Sequence, residues 1–208
     1  MKKCIAFDID RTMIDSYMPE ILSLQEAIEF VTQKKISKKD LKRMTTLTTD
    51  EFFKTLNLDE KEVLLVKKEW SNTYSKYEIK CFPKIKEVIR ELYNRKYIIA
   101  IITSRTVEEF HELDDELKDI LDCFNVIVCS DRIKKPKPNR ESMDYLCSKL
   151  QINSQDIIYI GDSETDSIFS KNCNIDFIPA CWENKELEKE KLACFSPDQI
   201  IPIIENLE

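Results

Sequence analysis

The 208 residues are 42% hydrophobic and 34% charged, a mixture too apolar for a disordered chain and too interrupted by charge for a membrane protein. Their 32 Lys and Arg against 39 Asp and Glu leave a formal charge of −7, with no basic surplus to hold nucleic acid. The opening apolar run breaks at Asp8, far short of the roughly 20 residues that span a bilayer, so the expectation is a cytoplasmic protein with no membrane partner, one domain with a sizeable insertion.

In chain order, the first element is a buried strand at Cys4–Phe7. Residues 15–78 then hold no strand-like run. They show two long helical stripes, at Tyr17, Ile21, Leu24, Ile28 and Val31 and at Val63, Val66, Trp70, Tyr74 and Tyr77. Between these stripes, Ser37–Arg43 and Asp50–Leu56 are shorter helical candidates, separated by a hydroxyl-rich stretch at Thr45–Thr49. The spacing of Trp70, Tyr74 and Tyr77 marks them as helix core rather than a base-stacking platform. From residue 79 a second pattern takes over. Helical stripes at Ile85–Leu92, Val107–Ile120 and Met143–Leu150 alternate with apolar runs at Tyr97–Ile102, Val126–Cys129, Ile157–Ile160 and Ile175–Ile178, and a closing helix follows Ser196-Pro197-Asp198. Continuous apolarity implies strands covered on both faces, and strand–helix alternation implies a parallel sheet. The fold class is therefore α/β, a Rossmann-like parallel core made of residues 1–14 and 79–208, with an α-helical domain inserted at 15–78.

Eight cysteines form no CxxC pair, and the single His111 follows Phe110 on a helical stripe, where it is expected to face solvent, which leaves no zinc cluster and no Ser-His-Asp triad. The cysteines read as small buried hydrophobes of a reducing compartment. Gly161 is the only glycine, where a chain usually carries about 7%. Turns must therefore rely on Asn, Asp, Ser and Pro, and Gly161 itself marks a close backbone approach.

Polar residues stand at the carboxyl ends of three apolar runs: Asp8-Ile9-Asp10, Thr103-Ser104-Arg105 and Gly161-Asp162. That edge of an open parallel sheet is where ligands bind. Carboxylates converging there repel one another unless a cation sits among them, and a few hard oxygen ligands suit Mg²⁺ and phosphate chemistry. Lys137, in a Lys-Pro-Lys-Pro stretch, brings positive charge to the same edge.

FDIDRT, IITSR, KPKPNRES and YIGDSETD, in this order and with a helical insertion after the first, resemble the four motifs of haloacid dehalogenase (HAD) superfamily hydrolases. The likeness runs over nearly the whole chain and is greatest to the phosphoglycolate-phosphatase-like branch with a small helical cap. It implies a Mg²⁺-dependent phosphatase acting on a small phosphorylated metabolite, as a monomer or homodimer. Asp8 would then be the nucleophile that forms an aspartyl-phosphate, and Asp10 the general acid and base. The metal would be held by Asp8, the backbone carbonyl of Asp10, and Asp162. Thr103 would bind a phosphoryl oxygen, helped by backbone N–H groups near Ser104 and Arg11. Lys137 would hold nucleophile and phosphoryl group together, with Asp166 orienting it. Spacing to Gly161 favours Lys137 over Lys135. The resemblance also places hinge strands near Ser16 and Tyr77–Lys80 and Gly161 beside the ion.

One residue departs from the pattern: Arg11 stands where the family usually has Gly. Either the turn takes Arg in ordinary geometry, or Arg11 brings a cation to the entrance and tunes substrate access. Two other functions stay open, a sugar phosphomutase of the same superfamily and a non-catalytic module that binds a phosphate ligand. Members of the first commonly place a histidine at the start of the cap, and none stands there in this chain.

Overall fold

The computed structural model describes residues 2–37, 40–41 and 49–207. The chain forms two compact units, one of Met1–Asp15 with Lys80–Glu208 and one of Ser16–Ile79.

The larger unit is built on a five-stranded, wholly parallel sheet. Its strands are β1 (Cys4–Phe7), β2 (Ile98–Ile102), β3 (Val126–Val128), β4 (Ile157–Gly161) and β5 (Asp176–Pro179), in the order β3-β2-β1-β4-β5. β1 lies at the centre, with Cys4 opposite Ile98 on one side and Ile157 on the other. That position explains why its four residues are all apolar and fully buried. Each Ile or Phe so covered contributes about 1.5–3 kcal/mol relative to exposure. One core, on Ala6, Ala100, Tyr159 and Phe169, includes Met143 and Leu146 of α7 (Glu141–Leu150) and Cys173 of α8 (Glu164–Cys173). Because Phe7 pairs with both Ile101 and Ile160, the register brings Asp8, Thr103 and Asp162 to one edge.

Along the rest of this unit run α4 (Ile85–Asn94), α5 (Val107–His111), α6 (Asp114–Leu117) and α9 (Ile200–Glu205). The stripe from Val107 to Ile120 is not one helix, as its spacing suggests. It breaks after His111 and restarts at Asp114-Asp115-Glu116, three carboxylates that favour a helix N-terminus. Helix α8, between β4 and β5, was not among the sequence expectations. Its apolar positions are few, with Ser167 and Ser170 buried beside Phe169 and Cys173. The eight cysteines are free thiols, six of them buried.

In the smaller unit, α1 (Tyr17–Thr32), α2 (Thr49–Thr55) and α3 (Glu60–Tyr74) share a core of Leu24, Ala27, Ile28, Phe52, Phe53 and Val66. Trp70 packs against that core and its Nε1 donates to Ser23 Oγ at 2.9 Å. Tyr77 lies past the end of α3 and its hydroxyl bonds Glu26. A capping box opens α3: Asp59 Oδ1 accepts from Glu62 N, and Glu62 Oε2 accepts from Asp59 N. Most of the candidate helix at Ser37–Arg43, and all of the threonine stretch but Thr49, lie outside the described residues. The expected hinge strands are replaced by a single-residue bridge, Ile14 to Cys81, and a hydrogen bond from Asp15 N to Lys80 O. Ser16 is instead the residue that precedes α1.

With one glycine, the chain puts other residues in left-handed backbone. Gln33, Gln151 and Asn174 follow helices at φ 53–56°, and Arg11, Asn57, Lys84 and Lys96 also have positive φ. The expected turn residues thus supply only Asn57 and Asn174 of this set. Gly161 is not at positive φ.

Candidate active site

The loop after β1 carries Asp8 into the edge of the sheet, where its amide continues the ladder by donating to Ile160 O at 2.8 Å. Lys137 meets it there. Its Nζ donates to Asp8 Oδ1 at 2.6 Å, to Asp166 Oδ1 at 2.8 Å and to Tyr159 OH at 2.8 Å, and the side chain is 4% exposed. An ammonium has three protons, so each is used. Lys135 is exposed, and its main-chain amide donates to Glu141.

Asp166 is fixed from three sides. Beyond Lys137, its Oδ1 accepts from Tyr159 OH at 3.0 Å, and its Oδ2 accepts from Ser163 Oγ at 2.6 Å. Gly161 makes room for this carboxyl: a Cβ on it would lie 2.6 Å from Asp166 Cγ. The neighbour that demands glycine is thus the Asp166 side chain.

Electrostatics separate the buried groups. Burial raises the Asp8 pKa; Lys137 acts against this and the Asp166 and Asp10 charges act with it, and the net result is about 7. Burial also raises Asp162 well above the carboxylate range, against the pull of Arg11. Asp166 is similarly buried, but the Lys137 charge and its hydrogen bonds outweigh burial and lower its pKa. For Lys137, burial lowers the pKa, yet the two carboxylates prevail and hold it above the usual lysine value.

Asp8, Asp162 and Asp166 each offer an oxygen within 4.8 Å of the others, and all three are buried. Asp162 Oδ2 is buried without a hydrogen-bond donor. Hard carboxylate oxygens, two of them on groups whose pKa burial raises on balance, fit a divalent cation such as Mg²⁺. Asp166 enters this cluster although its oxygens already accept from Lys137, Tyr159 and Ser163.

Asp10 directs its side chain elsewhere. Arg105 grips it with a fork, Nε to Oδ2 at 2.8 Å and Nη2 to Oδ1 at 2.7 Å, the bidentate geometry that suits guanidinium and carboxylate. Thr103 is buried and its Oγ1 accepts from Arg105 N at 3.1 Å. Ser104 is exposed. The Arg11 amide donates to Ile14 O at 2.9 Å, so it is engaged within its own turn and not directed at a phosphoryl oxygen. Arg11 itself sits at φ 58°, which excludes the ordinary turn geometry and costs roughly 1–2 kcal/mol for a residue with a Cβ. Its Nε lies 3.3 Å from Asp162 Oδ2. His111 is exposed and pairs with Asp114.

Arg105 and Tyr159 join the site without a role that the sequence assigns them. Arg105 stood in the strand-end tripeptide. Tyr159 was the one hydroxyl in an otherwise aliphatic β4, a signal that a buried partner was needed.

Residues 5–180 match the family described as haloacid dehalogenase-like hydrolase. The chain belongs to that family. Among curated relatives, this HAD-like hydrolase is 22% identical over 205 residues to pyrophosphatase PpaX of Oceanobacillus iheyensis, covering 99% of this chain and 94% of the relative. It is 23% identical over 182 residues to phosphoglycolate phosphatase of Vibrio parahaemolyticus, covering 82% and 79%. Among solved structures, a Lactobacillus plantarum protein assigned as a phosphoglycolate phosphatase superposes with TM-score 0.83 at 20% identity, over 98% of this chain and all of that one. An Entamoeba histolytica HAD hydrolase of family IA, variant 3, gives 0.84 at 18% identity, over 99% and 98%. These likenesses agree with a parallel-sheet HAD core carrying an inserted helical domain. No helix among the described residues is long and apolar enough to cross a membrane.

Proposed function

We propose that this HAD-like hydrolase is a Mg²⁺-dependent phosphatase that hydrolyses a small phosphomonoester through an aspartyl-phosphate on Asp8. The observation that carries the reading is the Lys137 ammonium held between Asp8 and Asp166 at 2.6 and 2.8 Å. A buried lysine so placed fixes the nucleophile's orientation and offers charge to an arriving phosphoryl group. Mg²⁺, when bound by Asp8, the Asp10 main-chain carbonyl and Asp162, supplies positive charge against the phosphoryl oxygens.

Asp8 attacks phosphorus through a carboxylate oxygen, the bond from phosphorus to the ester oxygen breaks, and Asp10 gives the leaving alkoxide its proton. Asp10 then takes a proton from water as that water attacks phosphorus, the Asp8–phosphorus bond breaks, and inorganic phosphate leaves. Thr103 donates its hydroxyl to a phosphoryl oxygen, the Ser104 amide assists, and Asp166 positions Lys137. Arg11 tunes access to this edge. For proton transfer, Asp10 must leave the Arg105 fork. In this proposal residues 1–14 and 79–208 are the hydrolase core, and residues 15–78 choose the substrate. The protein works in the cytoplasm.

The test is hydrolysis of p-nitrophenyl phosphate with Mg²⁺, with EDTA, and by Asp8→Asn. Activity lost in both controls, and a stable adduct of the wild type with beryllofluoride, are expected. A folded wild type with neither turnover nor adduct would leave the non-catalytic binding module in its place. Parallel assays on phosphoglycolate and inorganic pyrophosphate follow from the names of the two relatives.

A further inference from the structure

Arg11 is an expensive residue in its position. Its backbone is left-handed at φ 58°, and its guanidinium points at a buried cluster carboxylate oxygen without a hydrogen-bond donor, Asp162 Oδ2, at 3.3 Å. Asp162 is 2% exposed, so this contact lies in the interior, where an uncompensated carboxylate is costly. A single positive charge thus already stands at an oxygen that the divalent cation needs. One oxygen cannot take both at contact distance, because two cations side by side repel strongly in a poorly screened site.

A second carboxylate lies within electrostatic reach of the same guanidinium. Glu183 interacts with Arg11 and with Asp15, and its Oε2 is buried without a hydrogen-bond donor. That oxygen is a ready acceptor for a displaced guanidinium.

Resting on the divalent site proposed above, we propose that Arg11 is an internal, displaceable cation: it holds Asp162 in the cation-free protein and moves to Glu183 when a divalent ion binds. The protein then takes up its metal against an intramolecular competitor. Its apparent affinity is lower than the carboxylates alone would give, and occupancy responds to cation concentration in the range where other such sites stay filled.

The experiment measures Mn²⁺ binding by electron paramagnetic resonance on the full chain, without substrate. Arg11→Gly, which suits left-handed backbone, is expected to bind about tenfold tighter than wild type, a usual size for coupling between two competing sites. Arg11→Asn, also at ease in that backbone, gives the same reading should the Gly variant not fold. Glu183→Gln should weaken binding in the wild type and leave Arg11→Gly unchanged. On adding Mg²⁺, the wild-type Arg11 Nε–H resonance, assigned by its absence from Arg11→Lys, should shift. Equal Mn²⁺ affinity in wild type and Arg11→Gly overturns the displacement. So does tighter binding with an unmoved Nε–H resonance, which reports a fixed charge acting at a distance. An equal loss from Glu183→Gln in both backgrounds overturns the move to Glu183. Mn²⁺ binding by neither protein, or binding that survives Asp162→Asn in the Arg11→Gly background, removes the divalent site itself and the displacement with it.

Discussion

At the scale of single residues, the larger unit places charges where burial alone would forbid them and then pairs most of them. Lys137 and Asp166 succeed because each has a full set of partners. Glu183 is the contrasting case. Burial comes first among the causes that raise its pKa, with the neighbouring Asp15 carboxyl adding to it and Arg11 opposing, and the value moves from 4.5 up to about 7. An acid whose pKa is raised by folding binds more protons in the native than in the unfolded state between those two values. Stability from this group therefore falls as pH rises from 4.5 to about 7 and stays flat above. Glu183→Gln carries no such charge, so the variant should gain on wild type across that window. Urea unfolding of both proteins at pH 5, 6, 7 and 8 in EDTA checks this, and a stability difference independent of pH would show that Glu183 titrates normally.

At the scale of elements, α8 ties helix capping to the chemistry of the site. Ser163 accepts from Asp166 N and its hydroxyl donates to Asp166 Oδ2, so the capping box of α8 also holds the carboxyl that accepts from Lys137. Ser163→Ala should cost about 1 kcal/mol, as cap losses do. In the proposed mechanism it should also lower kcat more than it raises KM, because a loosened Lys137 would matter most as charge develops at phosphorus. Unchanged kcat with a lowered melting temperature would confine Ser163 to capping. The same helix marks the limit of what the sequence makes legible. β1, β2 and β4 are mostly aliphatic runs buried on both faces, so their composition betrays them, and the polar residues just after them reveal the edge of the site. α8 buries serines and an aspartate instead of an apolar stripe, which leaves its periodicity faint. Gly161 is legible as a close approach, yet what approaches is the Asp166 side chain, turned back by the capping box with Ser163, and residue type alone does not show which way that carboxyl points. The Arg105 fork on Asp10 joins residues 95 positions apart, and no spacing rule reaches that far.

At the scale of the whole molecule, the two units differ in how much holds them. The sheet of the larger unit keeps Ile5, Ile99, Ile101, Ile102, Ile158 and Ile160 completely buried. The helical unit relies on a handful of buried apolar side chains, Leu24, Ala27, Ile28, Phe52, Phe53 and Val66. Stability need not be uniform in such a chain, and units with few buried contacts open first. Phe52 is completely buried in the small core, and Phe52→Ala should cost about 3–5 kcal/mol there. If the helical unit opens on its own, amide hydrogen exchange in α1 and α3 will accelerate in this variant while β1 and β4 keep their wild-type protection. Mn²⁺ binding at the proposed divalent site, whose residues all belong to the larger unit, will then be preserved. A matching loss of protection in β1 and β4 would mean instead that the two units unfold as one cooperative whole, and that damage to the helical core is felt at Asp8 and Asp162.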